Sequence, residues 1–263
     1  MRIKLIILFT FSISLFGCAT IQQEALPPIS MLKEASQHIE STKVIVGLDP
    51  RNSYNFVREV QAADTSQQFG LIGAIISSII ANEVNSNIHD QERLMAPIRS
   101  AAIKFNFGSQ FRDKFEKKIK PINWLNIDYV SKAPNFQIGK IKEILKSSKE
   151  DAVLVADSFY TMSADFSKLT IKSHVNLWPN SKVLINIAKS DITNDKENPL
   201  LFRRTFSYEH HFEDEYVSAK SAASGWAKDE GAMVLRGLQT GVNGIAEKIS
   251  EHIQKSWIIV ASR

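Results

Sequence analysis

The densest cluster of groups able to hold a metal or move a proton is Tyr208-Glu209-His210-His211-Phe212-Glu213-Asp214. Imidazoles and carboxylates are ligand types that zinc accepts, but their spacing works against a shared ion. Leu200 to Phe212 reads as a strand, and on a strand adjacent side chains point to opposite faces, so His210 and His211 cannot reach one ion. His210 shares its face with Phe206, Tyr208 and Phe212, which marks it as a hydrogen-bonded histidine within a core or at its margin. His211 falls with Ser207 and Glu209 on the wetter face. Asp151, Asp157 and Asp165 read as strand-end residues rather than as a catalytic set. The chain has no Gly-x-Ser-x-Gly, no phosphate-binding glycine-rich loop and no His-Glu-x-x-His. No catalytic residue, metal site or cofactor is therefore assigned. An active site assembled from distant segments stays open, because triads are recognised by geometry and not by sequence position.

The chain has a single thiol, Cys18, which closes Leu15-Phe16-Gly17-Cys18 after an apolar run opened by Arg2 and Lys4. A basic start, a short apolar stretch and a small residue before a cut are the parts of a secretory signal peptide. Leu5 to Phe16 is short for a spanning helix, which needs roughly 20 apolar residues. Leu-x-Gly-Cys resembles the lipobox of bacterial lipoproteins, a match confined to residues 1–18. The resemblance implies that the Cys18 thiol is diacylated with palmitate-type chains, that residues 1–17 are removed, and that the new N-terminus is acylated again. Three chains far exceed the one that gives only reversible binding. In lipoproteins of two-membrane bacteria an aspartate directly after the cysteine usually signals inner-membrane retention; this chain has Ala19 there, so the resemblance implies the outer membrane, facing the periplasm.

Removing residues 1–17 takes away Arg2 and Lys4, so the formal charge falls from +4 to +2. A nucleic-acid binder would carry a basic face or stripe. The densest basic run, Lys114 to Lys120, is interrupted by Phe115 and Glu116 and reads as the solvated side of a helix. No nucleic-acid partner is expected. With 44% hydrophobic and 23% charged residues the chain is ordinary for a globular protein. Without a second cysteine there is no disulfide, so stability must come from the core.

The pattern along the chain divides it into a signal at 1–17, a lipidated N-terminus and tether at 18–42, and one globular domain at 43–263. Lys43 to Leu48 reads as a buried β-branched strand. Helical patterns follow at Glu92 to Phe105 and Ser109 to Ile119, with Gly108 between them and Pro121 as a stop. Trp124 to Val130 reads as a strand and Ile138 to Ser148 as a short helix. From Asp151 the period changes to two, predicting strands at Ala152 to Met162, Leu169 to Trp178, Ser181 to Ile192 and Leu200 to Phe212. Trp178-Pro179-Asn180-Ser181 would be a hairpin turn. Leu235, Leu238, Val242, Ile245, Ile249 and Ile253 then keep helical spacing on a long amphipathic helix, starting as early as Tyr216, and Trp257 to Val260 would add an edge strand. The expected fold is α+β: an antiparallel sheet of four to six strands, helices mainly on one face, and a long C-terminal amphipathic helix.

Phe69 to Ala81 sorts its residues by size. On a helical wheel Gly70, Gly73, Ala74, Ser77, Ser78 and Ala81 fill one half, and Leu71, Ile72, Ile75, Ile76, Ile79 and Ile80 the other. Rows of small residues let another backbone approach closely, so this segment reads as a core helix, a helix-packing or partner surface, or a membrane contact. Together these features point to a lipid-anchored envelope protein that binds or helps assemble another component without catalysis. Its partners would be the membrane, through the lipid, and a protein or a second copy of itself. The alternatives are an envelope hydrolase acting on cell wall or lipid and an oligomeric structural lipoprotein.

Overall fold

The computed structural model describes residues 28–30, 33–48, 58–59, 88–134, 140–163, 165–190, 197–213 and 217–261. Their elements are α1 (Lys33–Ser36), β1 (Thr42–Leu48), β2 (Arg58–Glu59), α2 (Ile88–Phe105), α3 (Phe107–Ile119), β3 (Ile127–Pro134), α4 (Ile141–Ser147), β4 (Ala152–Ser163), β5 (Lys168–Pro179), α5 (Lys182–Ser190), β6 (Phe202–His211) and α6 (Ala219–Ala261).

The sheet runs β3-β1-β4-β5-β6, and β2 pairs with the far end of β4. It is mixed rather than antiparallel. β1 is parallel to both its neighbours, with Val44 opposite Val130 on one side and Leu154 on the other, whereas β4, β5 and β6 are mutually antiparallel. The departure has a physical basis in the run KVIVGL. A strand that is apolar on both faces belongs in a sheet covered on both sides, as parallel strands usually are. Val44 and Val46 enter the main core, and Ile45 joins a smaller cluster with Ile141, Val153, Val155, Trp178, Leu200 and Ile29 on the opposite face. That second face is covered by α4. Side chains of α2, α3, α5 and α6 fill the main core, so helices do lie mainly on one side.

Residues 181–192, expected as a strand, instead include helix α5. The alternation Val183, Ile185, Ile187 suggested period two, but the side chains that bury are Leu184, Ile187 and Ala188, at helical spacing, while Val183 is half exposed. The helix starts where a hairpin turn was expected. The Asp151 carbonyl accepts the Asn180 and Ser181 amides at 2.7 and 3.1 Å. The Ser181 hydroxyl accepts the Leu184 amide at 3.4 Å, the pattern of an N-cap serine. Trp257 to Val260 is likewise helical, as the last turns of α6.

Two boundaries move for the same kind of reason. Asn106, at φ 50, separates α2 from α3 and accepts the Ser109 amide, so Gly108 lies inside α3 instead of breaking it. Asn123–Leu125 forms a 3-10 turn closed by Asn126 at φ 46, and only then does β3 begin. Asparagine reaches the left-handed region more readily than most residues.

The amphipathic helix α3 shows why these elements stay put. Phe107, Phe111, Phe115 and Ile119 repeat every four residues and are buried. The rings of Phe107, Phe111 and Phe115 stack in succession at 6.0 and 5.6 Å, and Phe107 meets Tyr160 of β4 edge-on at 5.0 Å. Lys117, Lys118 and Lys120 of the basic run are exposed on its other side.

Candidate functional site

Helix α6 is broken. Lys228, Asp229, Glu230 and Gly231 depart from helical geometry, the last three with φ of 51°, 57° and 81°. A first arm, ending near Ala227, and a second arm, from Ala232 to Ala261, thus meet at an angle. Three successive left-handed residues are unfavourable wherever the residue is not glycine, so tertiary contacts must hold the break. At Gly231 a Cβ would collide with the Ala101 side chain of α2. In the first arm Trp226 is fully buried, and its indole N–H donates to the Phe166 carbonyl in the β4–β5 turn at 2.7 Å. In the second arm Gly237, Gly241 and Gly244 present bare backbone to the sheet. Gly241 lies against Ile171 and Tyr208, and Gly237 against His210.

His210 occupies the seam between β6 and both arms. Its ring meets Trp226 at 5.8 Å and 69°, and a Cβ placed on Gly237 would come within 2.7 Å of its Cδ2. Its side chain is 13% exposed, and Nε2 stands 3.5 Å from Glu213 Oε1. That nitrogen is buried without a hydrogen-bond partner. The sequence placed His210 correctly at the core margin, but the hydrogen bond expected of it is missing at Nε2. Burial lowers its pKa; Glu213 pulls the other way, and Arg236 and His211 add to the lowering. Arg236 blunts the carboxylate because it already pairs with Glu213 Oε2 at 2.7 Å.

His211 points away, 70% exposed, with Nε2 3.6 Å from Glu209. Glu209 in turn binds Lys168 at 2.8 Å, and that hydrogen bond holds its carboxyl below the usual range. The cluster that looked like one set of ligands is therefore two charge groups on opposite faces. Among the described residues, no group of three or more His, Cys, Asp and Glu side chains is arranged to hold an ion.

At the far end of the same seam, His252 of α6 pairs with Arg204 of β6 at 2.8 Å and packs against Phe202 and Phe206. Burial, then Arg204 and Lys255, lower its pKa. Sequence reading missed His252, Trp226 and Arg236 as neighbours of β6. The available signal was α6 itself: at about 1.5 Å per residue its second arm is long enough to lie along all of β6.

The three aspartates are spread along β4. Asp151, at its start, accepts the Ser41 hydroxyl at 3.1 Å and the Glu40 amide at 3.2 Å. Asp157 is not at a strand end but in mid-strand, opposite His174. Asp165 lies in the turn. Burial raises its pKa, yet the hydrogen bonds from Ser163 and Ser167 outweigh this and leave it lowered. At about 3.3 Å per residue Asp151 and Asp157 are some 20 Å apart, too far to share a substrate atom. Cys18 and the size-sorted residues Gly70, Gly73, Ala74, Ser77, Ser78 and Ala81 lie outside the described residues.

No family model matches the chain, and no curated protein matches it. Among solved structures, a PelC dodecamer from Paraburkholderia phytofirmans aligns at 11% identity over 81% of this chain and 96% of that one, with a TM-score of 0.26. A likeness of that quality carries no inference about this chain.

Proposed function

We propose that this chain is a lipid-anchored protein of the bacterial envelope, held through Cys18 at the outer membrane and facing the periplasm. Its domain binds another envelope component, either a different protein or a second copy of this chain. The observation that carries the reading is the setting of the single thiol at Leu15-Phe16-Gly17-Cys18. Two further features support it. Ile29 pairs with Arg203 on the outer edge of β6 through two hydrogen bonds of 2.9 and 3.0 Å, which ties the start of the domain to that edge. The segment 18–28 then reaches at most about 35 Å, so a lipid on Cys18 would keep the β6 edge near the membrane.

The same edge supports a binding role. Among the described residues only Ile29 adds a backbone pairing on the outer side of β6, and the Lys248 side chain donates to the Ser207 carbonyl at 3.1 Å. Pro27 and Pro28 have no N–H with which to extend that pairing. A strand edge of this kind is where an extended partner segment can add. The size-sorted face of Gly70, Gly73, Ala74, Ser77, Ser78 and Ala81 is a second candidate contact, suited to a closely packed helix.

The anchor is tested by feeding cells labelled palmitate. Wild-type protein should incorporate it and resist salt extraction from membranes, and Cys18→Ser should do neither. A mature N-terminus other than Cys18 would sink the anchor. A photocrosslinker at Ser207, compared with one at Lys117 on α3, tests the binding edge: a discrete adduct at Ser207 alone supports it. Turnover of wall fragments or lipid by the purified protein would favour the hydrolase instead.

A further inference from the structure

We propose that His210 is an acid-operated latch: in its neutral form it closes the β6 seam between the two arms of the broken C-terminal helix, and protonation releases the first arm from the sheet. The proposal holds whether or not Cys18 is acylated. It rests on one juxtaposition, an imidazole set between Trp226 of the first arm and Gly237 of the second, beside a break built from three left-handed residues.

The slot suits a neutral ring. Trp226 and Gly237 line it, and Leu169 of β5 is the cross-strand neighbour of His210. Among the described residues, the charged or titratable groups facing the imidazole are Glu213 after β6, His211 beside it on β6, and Arg236 on the second arm. Glu213 would welcome a proton on His210, but Arg236 already draws on the same carboxylate at 2.7 Å. The imidazolium would also attract the Trp226 face. Against both stand its removal from water and the repulsion of Arg236 and His211. The balance leaves the closed state with the lower proton affinity.

The sign follows from linkage. A histidine whose pKa is lowered in the closed state contributes stability that is fully present above its ordinary value of about 6.5 and is lost as pH falls below it. What opens first is set by how each arm is held. The second arm lies against Leu169 and Ile171 of β5 and Tyr208 and His210 of β6 through Gly237, Gly241 and Gly244, and reaches Phe202 and Phe206 of β6 through His252. The first arm is pinned by Trp226, with its single indole hydrogen bond, and by the buried pair Ala222 and Ala223. The break at Lys228–Gly231 lets the first arm move without carrying the second. Its release would uncover Trp226 and the underside of the β4–β5 turn, an apolar surface that is closed at neutral pH.

The test is amide hydrogen exchange on the full chain purified in detergent, corrected for the intrinsic pH dependence of exchange. Between pH 7.5 and 5.5, protection of residues 219–227 should fall at least about twofold, while that of 240–250 stays constant. His210→Gln should abolish the difference between the two pH values, and His252→Gln should leave it. Two surface variants carry the proposal if His210→Gln fails to fold. Arg236→Gln frees Glu213 to hold the imidazolium and should shrink the acid effect. Glu213→Gln removes the attraction and should enlarge it. Equal protection at both pH values overturns the latch, as does an acid effect that survives His210→Gln or fails to move in opposite directions in the two surface variants.

Discussion

Strand β4 and strand β6 belong to one sheet and obey opposite rules. The first five residues of β4, Ala152 to Ala156, are buried without a break, whereas β6 from Phe206 to His211 alternates buried or half-buried positions with exposed ones. The cause is position. β4 lies between β1 and β5 with side chains packed on both faces, while β6 ends the sheet and is covered on one face by α6. The doubly packed stretch Ala152 to Ala156 holds no titratable side chain, because burying an unpaired charge is prohibitive, and Asp157 comes only where the strand is half-buried. A strand packed on one side can carry His210, Glu209 and His211 where water and partner charges reach them. The centre of the sheet thus supplies stability, and its β6 edge supplies the groups that respond to pH or to a partner.

The largest effect should come from the centre. Leu154, about 1% exposed, points from β4 into the main core. Leu154→Ala should cost about 2–5 kcal/mol in a urea unfolding curve, the loss of transfer energy plus a cavity that the sheet cannot close. A cost below about 1 kcal/mol would break the comparison, since it would mean the centre relaxes as readily as an edge.

Next in size is the joint between the regions. Gly231→Ala places a methyl group at φ 81° and against Ala101. Strain at such a position is worth about 1–3 kcal/mol. Ala101→Gly in the same chain should recover only part of the loss, because it removes the collision and leaves the backbone strain. Full recovery would mean that packing alone sets the break, and no recovery would mean that the backbone alone does.

The same contrast explains what the sequence made legible. β4 and β5 were readable because long alternating or apolar runs leave little choice of structure, and α3 because its phenylalanines repeat every four residues. Helix α5 was misread because Val183, Ile185 and Ile187 satisfy period two by coincidence. The deciding facts, the Asp151 carbonyl and the burial of Leu184 and Ala188, lie far apart in the chain. The parallel pairing of β1 was missed for a related reason: KVIVGL shows burial on both faces but not which strands flank it. At the site, His210 and His211 could be assigned to opposite faces from strand geometry alone. Trp226, Arg236 and the glycine row could not be assigned to His210, because they reach it only through the docking of a helix whose break no local signal announced.

The smallest effect belongs to the exposed side of α3, where the basic run reads as solvated surface. Lys118 pairs with Glu247 of α6 at 3.0 Å, with both side chains about half exposed (47% and 54%). Water and salt screen such a pair, and holding two long side chains in place costs entropy, so exposed ion pairs contribute about 0–1 kcal/mol. Lys118→Gln should therefore move the urea midpoint only slightly, and the difference from wild type should vanish in 1 M salt, where the screening length falls to about 3 Å. Retention on a polyanion column should be unchanged, because one cation fewer on a solvated helix removes no binding site. A stability loss that persists in salt would show that this pair docks α6 onto α3 and that the exposed side of α3 carries structure. A large drop in retention would instead make Lys114 to Lys120 a polyanion site, and the division of labour between the centre and the β6 edge would need a third region.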